Sequence, residues 1–159
     1  MPEEQRIALG CLLDRNFANQ YQESFMTNHA VRVLTTTINV PISTAYEFAH
    51  KPGNFPQWAA GLSEWLHKTD CGWIAATPAG EATVRFSERN EYGVLDHWVL
   101  MKGKPEIYIP LRMVAHGEGT AVELMLFRQQ DMTDADFDRD AGLVEKDLAR
   151  LKALLEQKD

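Results

Sequence analysis

Two adjacent side chains carry the strongest chemical suggestion in this sequence, Asp96 and His97. An imidazole titrates near neutral pH, and burial moves it further, so a histidine on an apolar strand face can exchange a proton or orient a ligand. A turn over residues 89–92 makes a hairpin in which Arg85 faces Asp96. Val84, Phe86, Leu95, His97 and Val99 then share the opposite face. The ordinary alternative is a core histidine with a single hydrogen-bond partner. A slip of one residue would exchange Asp96 for His97, so the two stand as one candidate pair for acid/base chemistry.

Other constellations are weaker. A turn at 116–119 pairs Arg112 with Glu123 and Leu111 with Leu124, and the charged pair reads as a cross-strand ion pair. The same turn sets Ile109 opposite Leu126 and puts Leu111 and Leu124 on an apolar face. Trp65 and His67 alternate on one strand face, with Trp73 on the next strand; they are either core or the stacking wall of a pocket. His29, His50, His67, His97 and His116 show no metal-ligand spacing, so no metal and no cofactor is expected. Cys11 and Cys71 form neither a disulfide framework nor a zinc cluster, and Cys71, in a turn, reads as an incidental thiol.

The elements that must position these groups begin with a strand at 31–40, rich in β-branched residues and ended by Pro41. Ser43 or Thr44 can cap a short helix carrying Ala45, Tyr46 and Phe48. Lys51-Pro52-Gly53-Asn54 breaks it, and Phe55-Pro56-Gln57-Trp58 starts a second. Trp58 there closes one end of the core or gates a cavity mouth with the loop 51–56. Period-two patterning follows, with strands at 63–68, 73–77, 82–88, 93–101, 106–115 and 120–129. Short turns join them into an antiparallel meander, and Pro110 marks an edge or a bulge in the fifth of these strands.

The longest element is a helix at 133–157. Thr133 and Asp136 make a capping-box variant, and Asp134, Asp136, Asp138 and Asp140 suit the positive end of the dipole. Phe137, Ala141, Val144, Leu148, Leu151 and Leu155 lie on one face. At 1.5 Å per residue the helix runs roughly 35 Å, and its stripe needs a surface. Ala141 and Gly142 are small where larger residues would fill space: they either leave room for a ligand or let a strand pack closely.

The chain has 159 residues, 45% of them apolar, enough for one sizeable core. A net charge of -7 argues against a nucleic-acid surface, and no apolar run approaches the ~20 residues of a membrane span. A cytoplasmic, reducing location is expected. Residues 1–25 read as a peripheral extension, or as a helix used in homodimer contacts, and residues 26–159 as the single domain.

Seven antiparallel strands, two short helices after the first, and one long final helix define an α+β class in which the sheet curls around that helix. The order resembles the helix-grip fold of the START, Bet v 1 and polyketide-cyclase superfamily. The resemblance is carried by Ile38-Asn39-Val40-Pro41-Ile42-Ser43-Thr44-Ala45-Tyr46-Glu47-Phe48 and Asn54-Phe55-Pro56-Gln57-Trp58. Gly93-Val94-Leu95-Asp96-His97 and the final helix are similar to the bacterial polyketide cyclase/dehydratase-like branch. The chain departs from the usual start by lacking the spacer before Pro41 and by having Phe55 where Tyr is usual. The resemblance implies an apolar or aromatic small-molecule ligand held between sheet and helix. Trp65, His67, Trp73, Arg85, His97, Leu111, Leu124, Ala141, Val144 and Leu148 would contact it. Its alternatives are a cyclase or dehydratase using His97 or Asp96, and a protein-interaction module.

Overall fold

In the computed structural model, residues 29–59, 65–77 and 79–157 are described; the expectations for residues 1–25 and Cys11 lie outside them. Strand β1 (Val31–Ile38) buries Ile38 and leaves Val31 and Val33 exposed. Helix α1 (Ile42–Ala49) starts directly on Pro41, whose carbonyl accepts from Thr44 N at 2.9 Å and Ala45 N at 3.1 Å. No side chain caps it, which corrects the role given to Ser43 or Thr44. Pro41 is already extended at φ -57° and ψ 148°, so the helix needs no further residue to begin. A 3₁₀ turn (Pro52–Asn54) leads into α2 (Phe55–Trp58), where Pro56 sits in the first turn and its missing N–H costs nothing.

The strands that follow are β2 (Leu66–Thr69), β3 (Gly72–Thr77), β4 (Gly80–Phe86), β5 (His97–Met101), β6 (Ile107–Ile109), β7 (Leu111–His116) and β8 (Gly119–Phe127). They pair in the orders β1-β8-β7 and β2-β3-β4-β5-β6, antiparallel throughout. The strand expected at 106–115 is therefore two, because Pro110 has no N–H to carry the ladder across. Its carbonyl still accepts from Met125 N at 3.0 Å, so β6 and β7 both run beside β8. The strand expected at 93–101 is likewise shortened to β5. Residues 93–95 bend away from β4 to meet β7, through Leu95 N to Leu111 O and Met113 N to Gly93 O, both at 2.9 Å. These seams stitch the two groups of strands into one curved surface. Gly93 makes the second possible: its φ is +69°, and a Cβ there would fall on the Met113 carbonyl.

Registers decide which side chains face inward. Leu111 pairs with Leu124 and Arg112 with Glu123, as the turn at 116–119 predicts. Arg85, however, stands opposite Trp98 and not Asp96. The shift is by two residues, which preserves the faces, so Val84, Phe86, His97 and Val99 remain on one side. Ile109 pairs with His97 on the β5 side, while on the β8 side the bond from Met125 N to Pro110 O continues the Leu111–Leu124 register in the direction of Leu126. Cys71 occupies the β2–β3 turn and is disulfide-bonded, which corrects its reading as an incidental thiol.

The long helix α3 (Asp134–Glu156) opens with the capping box complete. Asp136 N donates to Thr133 Oγ1 at 3.1 Å, and Thr133 N to Asp136 Oδ2 at 3.3 Å. Phe137, Ala141, Leu148 and Leu151 are buried. Its last turns also cover the free edge of β1: Lys152 Nζ donates to Thr37 O at 2.6 Å, and Asn39 N to Glu156 Oε1 at 2.7 Å. A Cβ on Gly142 would meet nothing within 4 Å, so close strand packing does not account for that glycine. Among the described residues no helix is long and apolar enough to cross a membrane.

Candidate functional site

The helix and the sheet do not close on each other. A cavity of about 260 Å³ separates α3 from the inner face of β5, β6 and β8, with α2 at one end. Strand alternation supplies its walls: His97 and Val99 from β5, Ile107 and Ile109 from β6, Leu124 and Leu126 from β8. Val144 and Leu148 face them from the helix, and Phe55 and Trp58 from α2. Asp140 and Asp147 line it on the helix side, and no Lys or Arg does so among the described residues.

His97 is only 4% exposed. Burial lowers its pKa from 6.5 to about 4, against a small opposing effect of the Leu95 carbonyl. Nδ1 lies 3.4 Å from that carbonyl, which can only accept, so the pairing assigns the proton of the neutral ring to Nδ1. Nε2 is then an acceptor. The ring meets Phe55 edge-on at 5.3 Å between centroids, and Phe55 meets Trp58 likewise at 5.0 Å. Trp58 is 3% exposed, and its Nε1–H has no hydrogen-bond partner. The histidine and the indole thus frame the same end of the cavity around one phenylalanine.

Asp96 lies elsewhere. It accepts from the Tyr108 hydroxyl at 2.6 Å, from Leu111 N at 3.1 Å and from the Arg112 guanidinium. Arg112 lies on the face of β7 opposite Leu111, and Tyr108, stacked on Trp98 at 5.3 Å, also borders the cavity. Asp96 and His97 are sequence neighbours on opposite faces and do not form a pair. Arg112 correspondingly turns to Asp96 and not to Glu123, its partner across the ladder.

Of the remaining residues singled out from the sequence, Leu124, Val144 and Leu148 line the cavity with His97. Leu111 is buried beside a much smaller void that also touches Trp58 and His97. Ala141 is buried in the core but is not part of the cavity wall. Trp65 and His67 stack on each other at 4.7 Å at the β2 edge of the sheet, and Trp73 on β3 is likewise away from the cavity. Arg85 is outside, bonded to Glu106 at 3.2 Å and placed over the Trp98 ring at 4.8 Å. The physical reason is common to these residues: β2 and the first part of β3 lie away from the cavity, which β3 reaches only at its last residue, Thr77.

The sequence reading passed over Asp140 and Asp147 as site residues. They flank the apolar stripe at i, i+7 spacing, which was the available signal. The Asp140 carboxyl is raised above its ordinary value, first by burial and then by Asp136, with Arg139 opposing. Among the described residues no group of three or more His, Cys, Asp or Glu side chains could hold a metal ion.

No family model matches the chain, and no curated protein matches it in sequence. Solved structures do. An uncharacterised protein from Bacillus thuringiensis aligns with TM-score 0.66 at 14% identity, over 80% of this chain and 100% of that one. Ara h 8.0201 aligns with TM-score 0.57 at 8% identity, over 79% and 97%. The di-domain ARO/CYC protein BexL aligns with TM-score 0.61 at 14% identity, over 80% of this chain and 46% of that one. Curved antiparallel sheet, paired short helices and gripping C-terminal helix together give this chain the helix-grip, Bet v 1-like fold that it shares with polyketide cyclase-like proteins.

Proposed function

We propose that the protein binds an apolar or aromatic small molecule in the cavity between its sheet and α3. The observation that carries this reading is the cavity itself: about 260 Å³ with mostly apolar walls, and with Thr77, His97, Tyr108, Gln129, Asp140 and Asp147 as the polar residues along them. A well-packed core leaves few voids larger than a water, so a space of this size is a feature to be explained. Native mass spectrometry against a library of uncharged aromatic and alicyclic compounds tests it. Retention of a stoichiometric ligand by the wild type, lost when Leu148→Trp fills the space, supports binding. Binding that survives filling places the ligand elsewhere and overturns the reading.

The second reading is catalytic and is motivated by the likeness of fold to BexL. His97 faces the cavity with its Nε2 as an acceptor, so it would take a proton from an acidic C–H or O–H of a carbonyl compound. With a pKa near 4 it would be a weak base at neutral pH and almost never a general acid. Asp96, committed on the far side of the sheet, would hold β6 and β7 in place and take no proton from the substrate. Turnover abolished in His97→Ala while ligand retention persists distinguishes catalysis from binding.

A further inference from the structure

The polar groups of the cavity differ in what they still have to offer a ligand. Thr77 Oγ1 donates to Gly80 O at 2.7 Å, Gln129 Nε2 to Phe127 O at 2.9 Å, and the Tyr108 hydroxyl to Asp96 at 2.6 Å. These donors are turned to the protein itself. Among Thr77, His97, Tyr108, Gln129, Asp140 and Asp147, only His97 is buried. Its ring is held between Phe55 and Phe86, at 5.3 and 6.0 Å between centroids. Nδ1 turns to the Leu95 carbonyl, and Leu95 borders the smaller void and not the cavity. Nε2 diverges from Nδ1 across the ring, towards the cavity that the ring lines. Trp58 Nε1 is sealed off; His97 Nε2, equally without a partner, is not. Burial holds the ring neutral, its pKa lowered to about 4, so Nε2 presents a lone pair at neutral pH. A buried acceptor left without a donor costs free energy, which a ligand donor recovers.

We propose that the cavity selects an uncharged aromatic or alicyclic molecule whose hydroxyl donates to His97 Nε2, over one whose oxygen only accepts. This rests on the binding function proposed above and assigns His97 as its specificity-determining residue. An acceptor oxygen in the same place would set lone pair against lone pair and leave the imidazole unsatisfied. The neighbouring side chains of Val99, Ile109 and Leu124 offer it no donor in exchange.

Three naphthalenes of matched shape separate the parts of this inference when titrated calorimetrically at pH 7.5 into the wild type and His97→Leu. 2-Ethylnaphthalene reports on the apolar cavity alone. 2-(Hydroxymethyl)naphthalene puts a hydroxyl where the hydrocarbon has its methyl, and 2-acetylnaphthalene carries an oxygen that only accepts. The hydrocarbon is the reference in each protein, so the differing hydration of the ligands cancels. The alcohol-to-hydrocarbon affinity ratio is expected to be about tenfold higher in the wild type than in His97→Leu, the worth of one buried hydrogen bond. The ketone-to-hydrocarbon ratio should be no higher in the wild type than in the variant. In the wild type labelled with ¹⁵N, the imidazole resonances missing from His97→Leu should show a proton on Nδ1 and none on Nε2. The Nε2 resonance should move upfield with the alcohol and not with the hydrocarbon, a readout that does not depend on the variant's stability. An equal alcohol ratio in both proteins, a ketone that gains from His97, or a proton on Nε2 would overturn the inference and leave the cavity's binding role standing. Failure of the hydrocarbon and the alcohol alike would overturn both.

Discussion

The Tyr108 hydroxyl donates to Asp96 at 2.6 Å, joining β6 to the residue that precedes β5. Leu111 N and the Arg112 guanidinium reach the same carboxylate from the start of β7. Asp96 thus gathers donors from both sides of Pro110, where the ladder loses an N–H. The carboxylate replaces in part the hydrogen bonding that proline removes, and it fixes the bend that turns β6 toward the cavity. Removing the hydroxyl tests this. Tyr108→Phe should cost about 2 kcal/mol, the usual range for a hydrogen bond to a charged group. For a chain of this size that lowers Tm by roughly 6 °C. Affinity for 2-ethylnaphthalene should change little, since phenylalanine keeps the ring that borders the cavity and only the hydroxyl bonded to Asp96 is lost; a selective loss of affinity without loss of Tm would contradict a structural role.

A second seam depends on a residue with no side chain. Gly93 holds φ at +69° and accepts from Met113 N at 2.9 Å, and a Cβ would run into the Met113 carbonyl. Both strain and collision oppose any other residue. Gly93→Ala should therefore destabilise by on the order of 3 kcal/mol, measurable as a lower urea midpoint with an unchanged m-value. Gly142→Ala is the contrasting control. Its Cβ meets nothing within 4 Å, and alanine is the better helix former, so this change should raise stability by up to about 1 kcal/mol.

His97 makes stability depend on acid. Its folded-state pKa, about 4, lies below the ordinary 6.5, because burial disfavours the imidazolium. Above pH 6.5 the ring is neutral in both states and exacts nothing. As pH falls from 6.5 towards 4, the unfolded chain takes up a proton that the folded chain refuses. Folding stability drops across this window by about 3 kcal/mol from this group and then levels off. Urea denaturation at pH 7 and at pH 4.5 should show a smaller difference in His97→Leu than in the wild type. An equal difference would mean that His97 is not held neutral.

The sequence made the helix at 133–157, its capping box and its apolar stripe legible because those signals are local: spacing along one element and a side chain three residues from its partner. The β7–β8 register was legible for the same reason, through the short turn at 116–119. Asp96 and Arg85 were not. The loop before β5 gives up its pairing with β4 to reach β7, and that exchange is set by contacts more than a dozen residues apart, such as Leu95 N with Leu111 O. His97 survived the two-residue shift because parity, and not register, determines its face. Trp65, His67 and Trp73 show the converse limit. Their alternation correctly gives strands, but which strands lie under α3 is a property of sheet order and curvature, invisible to a period of two.

Val144 stands where the helix stripe passes over the open space, half-buried and on the cavity wall. A larger side chain there has room to occupy without pushing into packed neighbours, unlike at Leu151, which is fully buried in the core. Val144→Phe should accordingly leave Tm within roughly 3 °C of the wild type, a change of about 1 kcal/mol or less at this size. It should weaken 2-ethylnaphthalene binding by at least about tenfold, because the ring takes the ligand's place. Leu151→Ala should do the reverse, costing about 3 kcal/mol of stability while leaving the cavity walls in place. Calorimetric titration and thermal melting of the two variants side by side separate helix residues that hold the fold from those that face the ligand. If Val144→Phe binds the probe as the wild type does, the helix does not wall the binding site.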